Sequence, residues 1–343
     1  MSQNTTLVAN LQSILTHALP CKDGDSTLVI YDEEAALTRQ VLSAYRELIP
    51  WAKFVSFSEE GQPVVMRAIE ALSAGALVIL VQSSSFRLDA FRIRIELFRR
   101  GLRTIEHAHL NRFTTQDECD AYVDSLAYDP AYYHSHGEGL TNLISQVKQV
   151  RVVSKDGAEL IYQGPFEGPK KNTGDYRGME NVGGTFPIGE VFTELVDLSG
   201  ASGVASIFAY GGMDFRTRIV DPFQIKVENG LVTGAGANAP DEFLQILQMV
   251  KNNEDPYIRE LGFGLNRAFA KERPVSDITT FERLVGVHVS LGEKHTIYRK
   301  EGMRPKDTKY HVDLFVDVAE VWFDDVCGFR DGAYILPGLH STT

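Results

Sequence analysis

Ala76-Leu77-Val78-Ile79-Leu80-Val81 (ALVILV) is an unbroken apolar run rich in β-branched residues. It is too short for a buried helix and lacks the alternation of a strand with one wet face, so it reads as a strand buried on both faces. Working outward, Ser26–Tyr31 (STLVIY), Lys53–Phe57 (KFVSF) and Arg103–His107 read as further strands. Helical patterns fill the gaps at Glu33–Leu48, Val64–Ser73, Phe86–Arg100 and Thr115–Leu126. Strands alternating with helices of this length predict a parallel sheet with helices on its faces. We therefore expect an α/β fold, with a parallel-sheet α/β domain over residues 1–148.

The pattern changes near Ser145. Val150–Val153, Ala158–Gln163, Val204–Ala209, Phe215–Val220, Phe223–Glu228 and Leu231–Gly234 are short β-branched runs. Asp156-Gly157 and Asn229-Gly230 are strong hairpin signals. Pro240–Lys251 and Pro256–Glu260 read as helices, and Lys309–Ala319 (KYHVDLFVDVA) alternates as a strand does. This predicts a second, α+β domain over residues 149–343.

Composition narrows the function. The chain has 343 residues and a formal net charge of −12. No long basic run exists, so no nucleic-acid partner is expected. Arg92, Arg94, Arg99, Arg100 and Arg103 read as the wet side of an amphipathic helix over Phe91, Ile93, Ile95, Leu97 and Phe98. The three cysteines, Cys21, Cys119 and Cys327, are far apart, which argues against a disulfide framework or a thiolate zinc site. The opening residues do not read as a signal peptide, and no apolar run is long enough to span a bilayer. A cytoplasmic protein with no membrane partner is the expectation. The first strand is not followed by G-x-G-x-x-G, and no phosphate-binding loop motif occurs, so no nucleotide cofactor is implied.

Five potential metal ligands fall in four settings. Glu190 follows turn residues in Pro187-Ile188-Gly189-Glu190-Val191-Phe192, and Glu260 precedes a glycine pair in Glu260-Leu261-Gly262-Phe263-Gly264. His288 interrupts the apolar run Gly286–Leu291. His311 and Asp313, at i and i+2, share one face of a strand. Imidazole and carboxylate donors suit zinc, cobalt, manganese or iron. Each setting also has a plainer reading: a turn for Glu190, a helix end for Glu260, a hydrogen-bonded core residue for His288. Spacing alone does not join them into one site. His107, Ala108 and His109 form a further H-x-H, as do His134 and His136, for which packing or surface roles are the plainer reading.

The order and wording of the four settings resemble the aminopeptidase T and aminopeptidase S group of metallo-aminopeptidases. The resemblance rests on G-E-V-F at Gly189–Phe192, on Glu260 ahead of Gly264-Leu265-Asn266, on H-x-x-x-G at His288 and Gly292, and on H-x-D at His311–Asp313. It covers the C-terminal half. The family has a tyrosine seven residues after the strand histidine; this chain has His295 there and Tyr298 three residues on. The resemblance implies Glu190, Glu260, His288, His311 and Asp313 as ligands of two divalent ions (zinc, cobalt or manganese), removal of N-terminal residues from small peptides, and a homodimer. Glu293 and His295, close in sequence to His288, are the candidates for proton transfer. The chain is also similar to the ring-opening dihydroxypyridine dioxygenases, which share the late H-x-D but bind one iron, with a histidine at the place of Glu260. A non-haem iron dioxygenase is therefore the alternative, and a non-catalytic metal-binding relative a third reading.

Overall fold

The computed structural model describes residues 3–88, 91–292 and 310–336. The fold is mixed α/β and divides into two compact units: 1–134 with 172–188, and 135–171 with 189–343.

The first unit is built on five parallel strands in the order Gly183–Phe186, Arg103–His107, Leu77–Val81, Thr27–Tyr31, Lys53–Ser56. Leu77–Val81 sits in the middle, with all five residues buried, as its unbroken apolar sequence requires. Leu28 and Ile30 pack with Val78 and Leu80 against Val65, Ile69, Ile93 and Leu97 from the flanking segments. Each such side chain contributes about 1.5–3 kcal/mol of burial. The strand Gly183–Phe186 enters from far along the sequence. It carries only one strongly apolar residue, Phe186, and its pattern gave no warning of it.

Local expectations are corrected. Phe86–Arg100 is not one helix: Arg87–Leu88 pairs with Phe91–Arg92, and the helix runs only over Ile93–Arg99. Alternating Arg and apolar residues fit a two-residue period as well as a helical one, and ladder pairing decides. Arg94 is accordingly no surface cation but bonds Glu106 and Thr185, and Arg103 lies on a strand. The helix Pro130–Gln146 was not anticipated from its Tyr-, His- and Gly-rich sequence, whose intrinsic helix propensity is poor.

The second unit holds an antiparallel sheet of thirteen strands among the described residues. Its hairpins form at Asp156-Gly157 and Asn229-Gly230; Asn229 and Gly230 both adopt positive φ, as a tight two-residue turn demands. The runs on either side of Pro222 fuse into one strand, Thr217–Glu228. A break in register opposite Ile207–Ala209 accommodates the proline, which has no N–H to donate. Pro256–Glu260 is not a helix; the chain extends as the strand Ile258–Gly264. Five residues are too few to sustain a helix against ladders on both sides. Among the described residues, no helix is long and apolar enough to cross a membrane.

Candidate metal centre

Four neighbouring strands build the site: Glu190–Glu194, Ile258–Gly264, Gly286–Leu291 and Val312–Val316. Register decides which side chains share a face, because directly opposed residues point the same way. Glu190 opposes Gly264, Phe192 opposes Gly262, and Glu194 opposes Glu260. Gly262 opposes His288 on its other side, while Ser290 opposes Asp313. Glu190, Glu260, His288 and Asp313 therefore lie on one face of the sheet, and His311 precedes Asp313 by two.

Gly262 is the hole in this face. It stands between Glu260 and Gly264 on its own strand, and His288 leans across it. His288 Nε2 lies 3.1 Å from Glu190 Oε1 and 3.4 Å from Glu260 Oε1. Ligand atoms of Glu190, Glu260 and His288 all fall within 4.8 Å of one another. Yet the buried Nε2 of His288 and Oε1 of Glu190 make no hydrogen bond of acceptable geometry. They meet at ion-pair distance. Buried polar atoms without a hydrogen-bond partner call for an explanation, and a cation ligated by all three supplies one.

His311 and Asp313 form a separate pair, with Nε2 2.9 Å from Asp313 Oδ1. Asp313 is buried, and its Oδ1 also lacks a hydrogen bond of acceptable angle. Arg259 Nη2 lies 3.0 Å from His311 Nδ1 and 3.4 Å from Ser290 Oγ. A guanidinium only donates, so this contact favours neutral His311, whereas Asp313 favours the imidazolium. Desolvation opposes the proton on His311, but Asp313 prevails and the pKa rises to about 9. The side chain is 46 % exposed, so water screens part of that attraction.

Charges couple the triad to its surroundings. Burial disfavours a proton on His288, but the adjacent carboxylates of Glu190 and Glu260 hold its pKa well above the usual imidazole range. Burial raises the Glu190 pKa; Arg283, followed by His288, outweighs it and holds the carboxylate low. Burial likewise raises Asp313, and His311 brings it down. Glu282 behaves in the opposite way. Burial, then the Asp313 charge, pushes its pKa well above the carboxylate range.

The structure thus brings Glu190, Glu260 and His288 together and sets Asp313, on the neighbouring strand, as a linked pair with His311, which immediately precedes that strand. Glu293 and His295 lie outside the described residues. Sequence reading overlooked Glu282, Arg283 and Arg259. Glu282-Arg283, a charged pair inside Phe281–Val285, was the available signal. His107 and His134 of the first unit have hydroxyl partners within that unit. His107 is fully buried between two hydroxyls, with Tyr45 Oη 2.8 Å from Nε2 and Tyr122 Oη 2.8 Å from Nδ1. His134 Nε2 is 2.9 Å from Tyr128 Oη.

Fold and site together define a two-unit α/β protein with a buried histidine–carboxylate cluster fit for a divalent cation. Two solved structures share the fold over nearly their whole length. One is the 2,5-dihydroxypyridine dioxygenase of Pseudomonas putida KT2440, with a TM-score of 0.67, 16 % identity, and 98 % of each chain covered. The other is wild-type AmpT of Thermus thermophilus, with a TM-score of 0.61, 14 % identity, and 97 % of this chain and 99 % of that one covered. No protein-family model matches the chain, and no curated protein matches it either.

Proposed function

We propose that this protein is a metal-dependent hydrolase that removes N-terminal residues from short peptides. The observation that carries the reading is the triad Glu190, Glu260 and His288, with ligand atoms inside 4.8 Å and a carboxylate at position 260. Glu190, Glu260 and His288 would hold the cation, with His311 and Asp313 beside them. Such a cation, when bound, lowers the pKa of a coordinated water and stabilises an oxyanion. The chain's own residues do the rest. Burial and the charge of Asp313 push the Glu282 pKa well above the carboxylate range, which suits it to hold and pass a proton to a leaving amine. The concentration of carboxylates favours a cationic group such as a free α-ammonium. The shared fold with AmpT and the aminopeptidase T motifs stand on the same side.

A second reading, an iron-dependent ring-cleaving dioxygenase, is favoured by the His311-x-Asp313 pair and by the fold shared with the dihydroxypyridine enzyme. It needs only one metal and no carboxylate at 260. A screen of aminoacyl-nitroanilides with chelated and with zinc-, cobalt- or manganese-loaded protein tests the hydrolase. Metal-dependent release of nitroaniline is the expected result. Its absence, with oxygen uptake on 2,5-dihydroxypyridine and ferrous iron, would replace the first reading by the second.

A further inference from the structure

Arg283 stands inside the carboxylate cluster. Its Nη1 lies 3.1 Å from Glu190 Oε2 and 2.6 Å from Glu282 Oε2, and the side chain is only 9 % exposed. A guanidinium does not give up its charge in a protein. The backbone that carries it is fixed: Arg283 N donates to Thr280 O, and its carbonyl accepts from Asn266 N at 2.7 Å. Gly264 permits this close approach, since a methyl group there would meet Leu284 O at 1.8 Å. Glu190 is thereby divided between two partners. Oε1 faces His288 and the triad, and Oε2 faces Arg283.

That division bears on how many cations the site holds. A second cation beside Glu190 would have to bind its Oε2, and that oxygen is held by Arg283. Arg283 also brings a fixed positive charge to 3.1 Å from Glu190 and 2.6 Å from Glu282, the charge that a second cation would otherwise bring.

We infer that the site binds a single divalent cation, held by Glu190, Glu260 and His288, and that Arg283 takes the place and supplies the charge of a second. The inference rests on the metal reading proposed above and replaces the pair of cations that the sequence resemblance implies. In such a hydrolase Arg283 would supply a fixed positive charge beside the single cation.

Equilibrium dialysis of the full chain against manganese, followed by elemental analysis, tests the count. Wild type and Arg283→Lys are expected to hold one manganese per chain. Arg283→Gln frees Glu190 Oε2 and is expected to hold two. Two equivalents in wild type, or in Arg283→Lys, overturn the inference. So does Arg283→Gln saturating at one with unchanged affinity. No manganese on wild type overturns the metal reading itself, a result distinct from a wrong count. Circular dichroism on each variant verifies folding; should Arg283→Gln not fold, the wild-type and Arg283→Lys counts still decide.

Discussion

Gly262 sits directly opposite His288, and a methyl group built on it would lie 2.1 Å from His288 Nε2. The imidazole occupies the space a side chain at 262 would take, and so reaches both Glu190 and Glu260. Glycine here is a requirement of space, since its φ lies outside the left-handed region.

Gly262→Ala is therefore expected to expel the imidazole from the triad. Overpacking of this kind costs about 1–3 kcal/mol, so the melting temperature falls by several degrees. Manganese affinity falls by about tenfold or more, the scale on which lost support of a ligand weakens a metal site. Calorimetric titration and thermal melts check both effects; unchanged affinity would show that His288 is not held by this gap.

His311→Ala and Asp313→Ala test the linked pair. Each removes one member of a contact at 2.9 Å next to the triad. Lower metal affinity is expected in both. The two differ in the metal-free protein, because His311 is half exposed and Asp313 is buried. His311→Ala leaves a buried carboxylate without its partner and destabilises more than a surface change would. Metal content equal to wild type in both variants would remove the pair from the site.

His107 makes stability pH-dependent independently of the metal. Burial lowers its pKa from 6.5 to about 3. Tyr122 donates to Phe186 O, so it accepts from His107 Nδ1–H, and Nε2 accepts from Tyr45; the ring is neutral in the fold. The unfolded chain binds a proton below pH 6.5 that the folded chain refuses. This contribution is complete above 6.5 and is lost as pH falls toward 3, at up to about 1.4 kcal/mol per pH unit. Nuclear magnetic resonance of the imidazole is expected to show no titration between pH 8 and 5. A midpoint near 6.5 would contradict the buried network.

Glu260→His separates the two chemistries. Replacing the carboxylate removes negative charge from the triad and presents the donor set of a His-His-Asp iron site. Hydrolysis of aminoacyl-nitroanilides is expected to fall by at least a hundredfold, while one metal still binds weakly. Wild type is expected to consume no oxygen with 2,5-dihydroxypyridine and ferrous iron. Oxygen uptake by the wild type would reverse the order of the two readings.

The parallel sheet was legible because Leu77–Val81 and Thr27–Tyr31 are too apolar to be anything but central strands. Gly183–Phe186 was not, because a strand of glycine and threonine carries no periodic signal and joins its sheet only through long-range pairing with Arg103–His107. Pro256–Glu260 was misread because its short helical pattern gives way to ladders on both sides. Among the site residues, only His288 stood out as a polar group in an apolar run; Glu190 read as a turn and Glu260 as a helix end until the family resemblance joined them, and only register places the three on one face. Arg283 stayed hidden: beside Glu282 it reads as an ordinary surface pair, and its burial depends on the backbone approach at Gly264.

The most direct test of the metal centre is anomalous diffraction from crystals of the full chain soaked in manganese. The account predicts an anomalous peak bounded by Glu190 Oε1, Glu260 Oε1 and His288 Nε2. A well-occupied peak elsewhere, or none in that position at saturating manganese, would contradict it.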